Sequence, residues 1–444
     1  MMVLAVCLTA GCQTEGKGKW ISSTGQFEDI KDPITETSSL SSNVTSSGLD
    51  INFEIGKDPY AYNNIPPGVR PATDTIEGGI WYSADKIEAK GRTAGNRIHD
   101  KELNAYLNKI ACDLAGPYCP DMRVYLLRVP IFNATMSPNG MMSIYTGFLL
   151  RVQNEAQLAS VIGHEIGHYI RRHSIQRLED NIAKREFGLV FGMLMAVAGV
   201  PAMSDIMQLA LISSQSAFSR DNEREADVIG ITLMHQNGYD VREAAKIWES
   251  LIREENPDQD PDKVSTSTPF ASTHPSNGER TETLNLIANK LQGPGKWGKT
   301  NEAEFDRIVG PWKFKYLEDE VRLRNWKSSL EVLQILRENG HKESEILYFE
   351  GEIFRNRNRD ADPDAEKEED QEADTARAIK AYEKSMALAD APPEAFRAAG
   401  LLYNREKMPA KARQALAEYL RLKPNAHDAK LIEYMIINLK GKTS

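Results

Sequence analysis

At residues 164–168 the chain reads His-Glu-Ile-Gly-His, and around it, from about Asn154 to Ser174, the residues Ala156, Leu158, Ala159, Val161, Ile162 and Ile166 recur at helical intervals. Two histidines four residues apart on a helix project from one face, where their imidazoles share a cation, and Glu165 projects beside them. A catalytic zinc takes three protein ligands and keeps one position open, so another element must bring a third ligand to this helix. Gly163 and Gly167 leave room for such an approach. A chain built around this demand needs a buried helix, a close neighbour, and something to hold both in register.

Candidates for the third ligand lie nearby and far away. His173 falls at the wrong distance for a second-histidine extension of the metzincin type, because Arg171 stands where a glycine and Ser174 where a histidine would be required. It reads as a helix-end residue near the last carbonyls. The better source is the run Ser219-Arg220-Asp221-Asn222-Glu223-Arg224-Glu225-Ala226-Asp227, where Glu223 and Asp227 share a helix face one turn apart. One carboxylate then serves the metal and the other an imidazole N–H, while Glu225 points elsewhere. Taken singly, each of these acids also fits a charged helix surface.

With 444 residues, the chain is expected to hold two folded units plus a tail. Hydrophobic residues at 41%, charged residues at 27% and a net charge of −10 describe a globular protein with a buried core. The absence of a basic excess excludes a nucleic-acid partner. The expected fold is mainly α: an α+β domain with a small sheet over 75–292, a linker over 293–310, and α-α repeats over 311–444. In the first domain, Ile98, Leu103, Leu107, Ile110, Ala111 and Leu114 predict an amphipathic helix within 75–115. Strands are predicted over 123–129, 132–137 and 141–146, the last two around a Pro138-Asn139-Gly140 turn. Helices are predicted over 221–237, 240–255 and 279–292, with a Pro/Ser/Thr-rich loop between 256 and 278. The apolar stretch 187–201 is too short to span a bilayer and reads as a buried helix or one dipping into a membrane surface.

The N-terminus, residues 1–12, resembles a lipoprotein signal, with Val3 to Ala10 apolar and Ala10-Gly11 before Cys12, the candidate lipidation site. No Lys or Arg precedes the apolar run. A Ser/Thr/Gly-rich stretch follows, so 13–74 is expected to be a flexible tether and lead-in. Of the remaining cysteines, Cys112 and Cys119 flank Ala115-Gly116-Pro117, a turn that can bring the sulfurs together; two buried free thiols are the alternative.

Beyond 310 an internal repeat emerges. Ala378, Ala381, Tyr382, Met386 and Leu388 align with Ala412, Ala415, Leu416, Leu420 and Leu422 at the tetratricopeptide period, and Gly351 aligns with Gly400 once an acidic insert at 358–374 is removed. That insert reads as a solvated loop. The region 311–444 is therefore expected to offer tetratricopeptide-like hairpins that bind protein partners.

H-E-x-x-H followed by S-R-x-x-E-x-E-A-D resembles the metallopeptidase family that contains HtpX, the CAAX prenyl endopeptidases and BepA, of gluzincin type. Further matches are Asn133-Ala134, Thr146-Gly147-Phe148-Leu149 leading to Asn154-Glu155, and Thr273-His274-Pro275 with Arg280. The resemblance implies a zincin-like fold, one Zn2+ held by His164, His168 and Glu223, Asp227 behind them, and Glu165 as general base. It implies an endopeptidase acting on polypeptide substrates, with Asn133 and Ala134 on an edge strand that aligns them; the runner-up is a scaffold acting through its repeats with a latent metal site. With Cys12 lipidated, the protein is expected in the periplasm, anchored to the outer membrane. His274 reads as a plug for the open metal position, with an oxyanion donor and a plain helix start as alternatives.

Overall fold

The computed structural model describes residues 44–45, 48–49, 59–62, 66–177, 220–256, 277–292, 295, 298–360 and 368–440. Cys12, the stretch 187–201 and His274 lie outside them. The chain divides into two compact units, Met1–Glu54 and Ile55–Ser444. In the first, Val44–Thr45 pairs antiparallel with Gly48–Leu49. The rest concerns the second unit.

Order in that unit reaches back into the expected lead-in. Tyr60 donates to the Leu114 carbonyl at 2.8 Å and its ring meets Tyr118, and the Gly68 amide donates to Asp121. Packing of the partly buried Tyr60 ring brings order into part of the lead-in, before residue 75 where it was expected to begin.

Helix α1 (Ile76–Gly91) starts at Thr75, whose hydroxyl accepts from the Gly78 amide, and α2 (Lys101–Ala115) starts at Asp100, which accepts from Leu103. Between them Ile98 is not helical: its amide donates to the Leu126 carbonyl at 2.9 Å and the segment bridges to the sheet. The cap at Asp100 thus restarts the helix, and the predicted 75–115 helical segment becomes two.

The sheet contains β1 (Arg123–Leu127), β2 (Ala134–Met136) and β3 (Met141–Tyr145) in the order β1-β3-β2, with β1 parallel and β2 antiparallel to β3. Central β3 is buried throughout, and β2 lies at an edge. Gly140, at φ 86°, closes the hairpin where a Cβ would meet the Asp121 carbonyl oxygen at 2.0 Å. Thr146 does not extend β3 but opens a short helix, α3 (Thr146–Arg151).

Behind the sheet runs α4 (Glu155–Ile170), all of whose residues are buried. Asn154 caps it, accepting from the Gln157 amide, and Tyr239 and Asn301 both donate to Glu155. Helices α5 (Arg220–Gln236), α6 (Glu243–Glu255) and α7 (Asn277–Gln292) complete the body, with α5 and α6 against α4 and α7 against α5 and α6. Full burial of side chains such as Leu107, Leu114 and Phe148 contributes about 1.5–3 kcal/mol each.

The expected linker is partly built into this body. The Lys299 amide donates to the Gly238 carbonyl, the Asp240 amide to Lys299 and the Glu155 amide to Thr300, and α8 (Glu302–Arg322) packs on α2 and α3. Gly298 belongs to this contact, since a Cβ would meet the Tyr239 carbonyl carbon at 2.2 Å. Gly298, inside the expected linker, thus permits a close approach of two backbones.

From α9 (Trp326–Glu338) onward the helices α10 (Glu343–Asp360), α11 (Glu368–Met386), α12 (Pro393–Arg405), α13 (Pro409–Leu422) and α14 (Ala429–Lys440) each pack on the next. Gly351 of α10 faces the Tyr382 ring of α11, and Gly400 of α12 faces Leu416 of α13, so two successive pairs close on equivalent residues. The loop expected over the acidic insert is corrected at its two ends only: α10 and α11 extend over 358–360 and 368–374, and 361–367 lie outside the described residues. Arg357 donates twice to Asp374 at 2.6 and 2.5 Å, and Arg377 pairs with the same carboxylate.

Candidate metal centre

α4 and α5 meet at small residues. A Cβ on Gly167 would lie 2.9 Å from the Ala226 carbonyl oxygen, and one on Gly230 would lie 2.8 Å from the His164 amide nitrogen. This contact lays the Glu223–Asp227 face of α5 along the His164–His168 face of α4.

The outcome is a buried triad. His164 Nε2 lies 3.0 Å from His168 Nε2 and 3.5 Å from a Glu223 carboxylate oxygen, and His168 Nε2 lies 3.4 Å from the other. Zinc bonds of about 2.0–2.1 Å in a tetrahedron place donors about 3.3–3.4 Å apart, and one donor atom from each of these three residues lies within 4.8 Å of the other two, so the three residues can share one ion. The donor chemistry agrees. The His164 Nδ1–H donates to Asp227 at 2.8 Å, which leaves its Nε2 lone pair facing His168 Nε2. That lone pair is available to a cation shared with His168 and Glu223.

Electrostatics keep the rings neutral, as metal ligation requires. Burial, then the charge of Arg280, pushes His164 down to about 4, and burial together with His164 and His173 pushes His168 well below its ordinary value against the pull of Glu223. Asp227 is held below its usual range by Arg280 and His164, against its burial.

Arg280, from α7, donates to Asp227 through Nε at 2.9 Å and Nη2 at 2.5 Å, and its guanidinium lies 3.8 Å over the Trp248 ring. Glu165 is buried on α4 beside His164, and its charge acts on Arg280.

Two residues with no assigned role in the sequence belong to this centre. His173 is not a helix-end residue satisfying carbonyls: α4 stops at Ile170, Arg172 takes a left-handed φ of 56°, and His173 Nδ1 returns to 2.8 Å from His168 Nδ1. Glu225, read as pointing elsewhere, bonds His173 Nε2 at 3.1 Å and accepts two bonds from Arg171. Burial raises the Glu225 carboxyl, but His173 and Arg171 overcome it and hold the group down to about 2. The only available signal was the five-residue spacing from His168.

The other predicted residues fall as follows. Ala134 lies in β2 and Asn133 just before it; both are buried, and among the described residues the Asn133 Oδ1 has no hydrogen-bond partner. Cys112 and Cys119 form a disulfide with Cα atoms 4.4 Å apart. Among the described residues no helix is long and apolar enough to cross a membrane.

Two helices behind a small sheet that bring two histidines and a glutamate together, with an acid beside the first histidine, have the arrangement of a metallopeptidase domain. Residues 97–288 match peptidase family M48, a zinc-dependent family, and the chain carries a domain of that family. The chain is 33% identical over 162 residues to the mitochondrial metalloendopeptidase OMA1 of Arabidopsis thaliana, covering 36% of this chain and 30% of that protein. It is 28% identical over 218 residues to the human mitochondrial metalloendopeptidase OMA1, covering 48% and 41%. A putative beta-barrel assembly-enhancing protease of Vibrio cholerae is 28% identical over 192 residues, covering 40% and 37%. The chain thus spans less than half the length of each of these relatives.

Proposed function

We propose that this chain is a zinc-dependent endopeptidase of a bacterial envelope, hydrolysing peptide bonds of misfolded or unassembled proteins. The observation that carries the reading is the convergence of His164, His168 and Glu223 on one point, beside Glu165, inside a domain of family M48. Zinc held there supplies Lewis acidity, polarising a carbonyl and acidifying water. Glu165 takes the proton of the attacking water and passes it to the leaving amine. Asp227 fixes the ring of His164, and Arg280 fixes Asp227. The outer edge of β2 aligns an extended substrate by backbone hydrogen bonds, with Asn133 and Ala134 at the contact.

The resemblance to beta-barrel assembly-enhancing proteases supports the envelope role. A lipid on Cys12 would anchor the protein at the outer membrane of the periplasm, and Cys12→Ser would then release it from the detergent phase. The paired helices α10 to α13 support tetratricopeptide-like repeats that hold protein partners, and a scaffold with a latent metal site is the second reading. His274 plugs the open metal position in this reading, so His274→Ala raises cleavage. The deciding experiment is cleavage of an unfolded polypeptide by the purified full chain, stopped by a chelator and restored by zinc. Zinc-loaded protein that cuts nothing favours the scaffold, and cleavage indifferent to the chelator removes the metallopeptidase.

A further inference from the structure

The two histidines of the triad are oriented by different devices. His164 has a carboxylate directly on its Nδ1, whereas His168 has an imidazole: His173 Nδ1 at 2.8 Å. Behind that imidazole stands a carboxylate, Glu225, at 3.1 Å from His173 Nε2, and behind the carboxylate a guanidinium, Arg171, with Nε at 2.9 Å and Nη2 at 3.0 Å. His168 and His173 are both buried, and their rings meet edge to face at 5.0 Å.

Proton bookkeeping allows one direction along this chain. The guanidinium only donates, and the Glu225 carboxylate only accepts. His173 Nε2 therefore carries the proton that goes to Glu225, and in a neutral ring Nδ1 is then the acceptor. The partner of that acceptor must be an N–H, so the proton of His168 sits on Nδ1 and its Nε2 lone pair faces His164 and Glu223. The turn that permits this places Arg172 in a left-handed conformation, which is unfavourable for a non-glycine residue. Arg172 is also ion-paired to Glu77 of α1.

We propose that His173, anchored by Glu225 and Arg171, is a positioning residue that locks His168 in the tautomer able to bind a divalent cation and thereby sets the affinity of the centre for zinc. This rests on the reading of His164, His168 and Glu223 as ligands.

The test measures zinc affinity of the full chain by competition with a chromogenic chelator. His173→Ala should weaken binding about 10–100-fold, the range for loss of an outer hydrogen-bond partner of a ligand. His173→Asn, whose amide oxygen can stand where Nδ1 accepts, should recover most of it, and Glu225→Gln should fall between the two. A purely structural role would lower the melting temperature of the zinc-free protein in the Ala and Asn variants alike, with no recovery of affinity, and would overturn the proposal. So would a His173→Ala affinity within twofold of the unaltered chain. If instead the unaltered chain binds no zinc, or His168→Ala leaves its affinity intact, the ligand assignment itself fails and the positioning role falls with it.

Discussion

His164 Nδ1 and an Asp227 carboxylate oxygen lie 2.8 Å apart with both side chains buried. Asp227 also receives two hydrogen bonds from Arg280, so every neighbour presents a donor and only a carboxylate satisfies them all. Asp227→Asn must turn its NH2 towards one of these donors. Zinc affinity should fall about 10–100-fold, read by chelator competition.

The approach of α5 to α4 depends on Gly230, where a Cβ would lie 2.8 Å from the His164 amide nitrogen and 3.0 Å from the Gly163 carbonyl carbon. Gly230→Ala should cost about 1–3 kcal/mol in chemical denaturation. Because the backbones must part, Glu223 withdraws and zinc affinity should drop as well. An exposed control, Gly79→Ala, meets nothing within 4 Å and should do neither.

Acid stability should carry the signature of Glu88. Its burial raises the carboxyl, but hydrogen bonds from Arg123 and Tyr125 outweigh this and bring it down to about 2 from an ordinary 4.5. The unfolded chain takes up this proton first as pH falls, so the stabilisation is present above about pH 5 and lost progressively towards pH 2. Denaturation of Glu88→Gln across that window should show a flatter acid limb and about 2–3 kcal/mol less stability at neutral pH.

A buried ionic cluster ties α3 to the helices that follow. Arg151 donates to Glu254 of α6 at 2.6 and 2.5 Å and to Glu320 of α8 at 3.1 Å, while Ser328 and Ser329 of α9 donate to the same two carboxylates. Burial raises the Glu320 carboxyl above its ordinary range, against the pull of Arg151. Arg151→Met strands two acids and should cost about 3–5 kcal/mol in unfolding measurements. Adding Glu254→Gln and Glu320→Gln should return part of it.

His164 and His168, two of the proposed ligands, were legible because their spacing is set by a single helix: i, i+4 needs no tertiary information, and the glycines beside them announce a close neighbour, while the role of Glu223 on a second helix rested on the family resemblance. Asp227 was legible for the same reason, one turn from Glu223. His173 and Glu225 were not, since their contact depends on Arg172 leaving the helical conformation, a change that sequence periodicity does not register. The helix break at Ile98 and the stitching of residues 298–301 share that cause: each is decided by a backbone partner distant in sequence, Leu126 in one case and Gly238 in the other.

The role proposed for Glu165 is that of general base beside a zinc held by His164, His168 and Glu223. It is tested most directly by cleavage of an unfolded polypeptide by the full chain and by Glu165→Gln, each assayed for bound zinc. One zinc per chain is expected in both proteins, with a rate lower by about 10²–10⁴ in the variant. Equal rates at equal zinc content would contradict it.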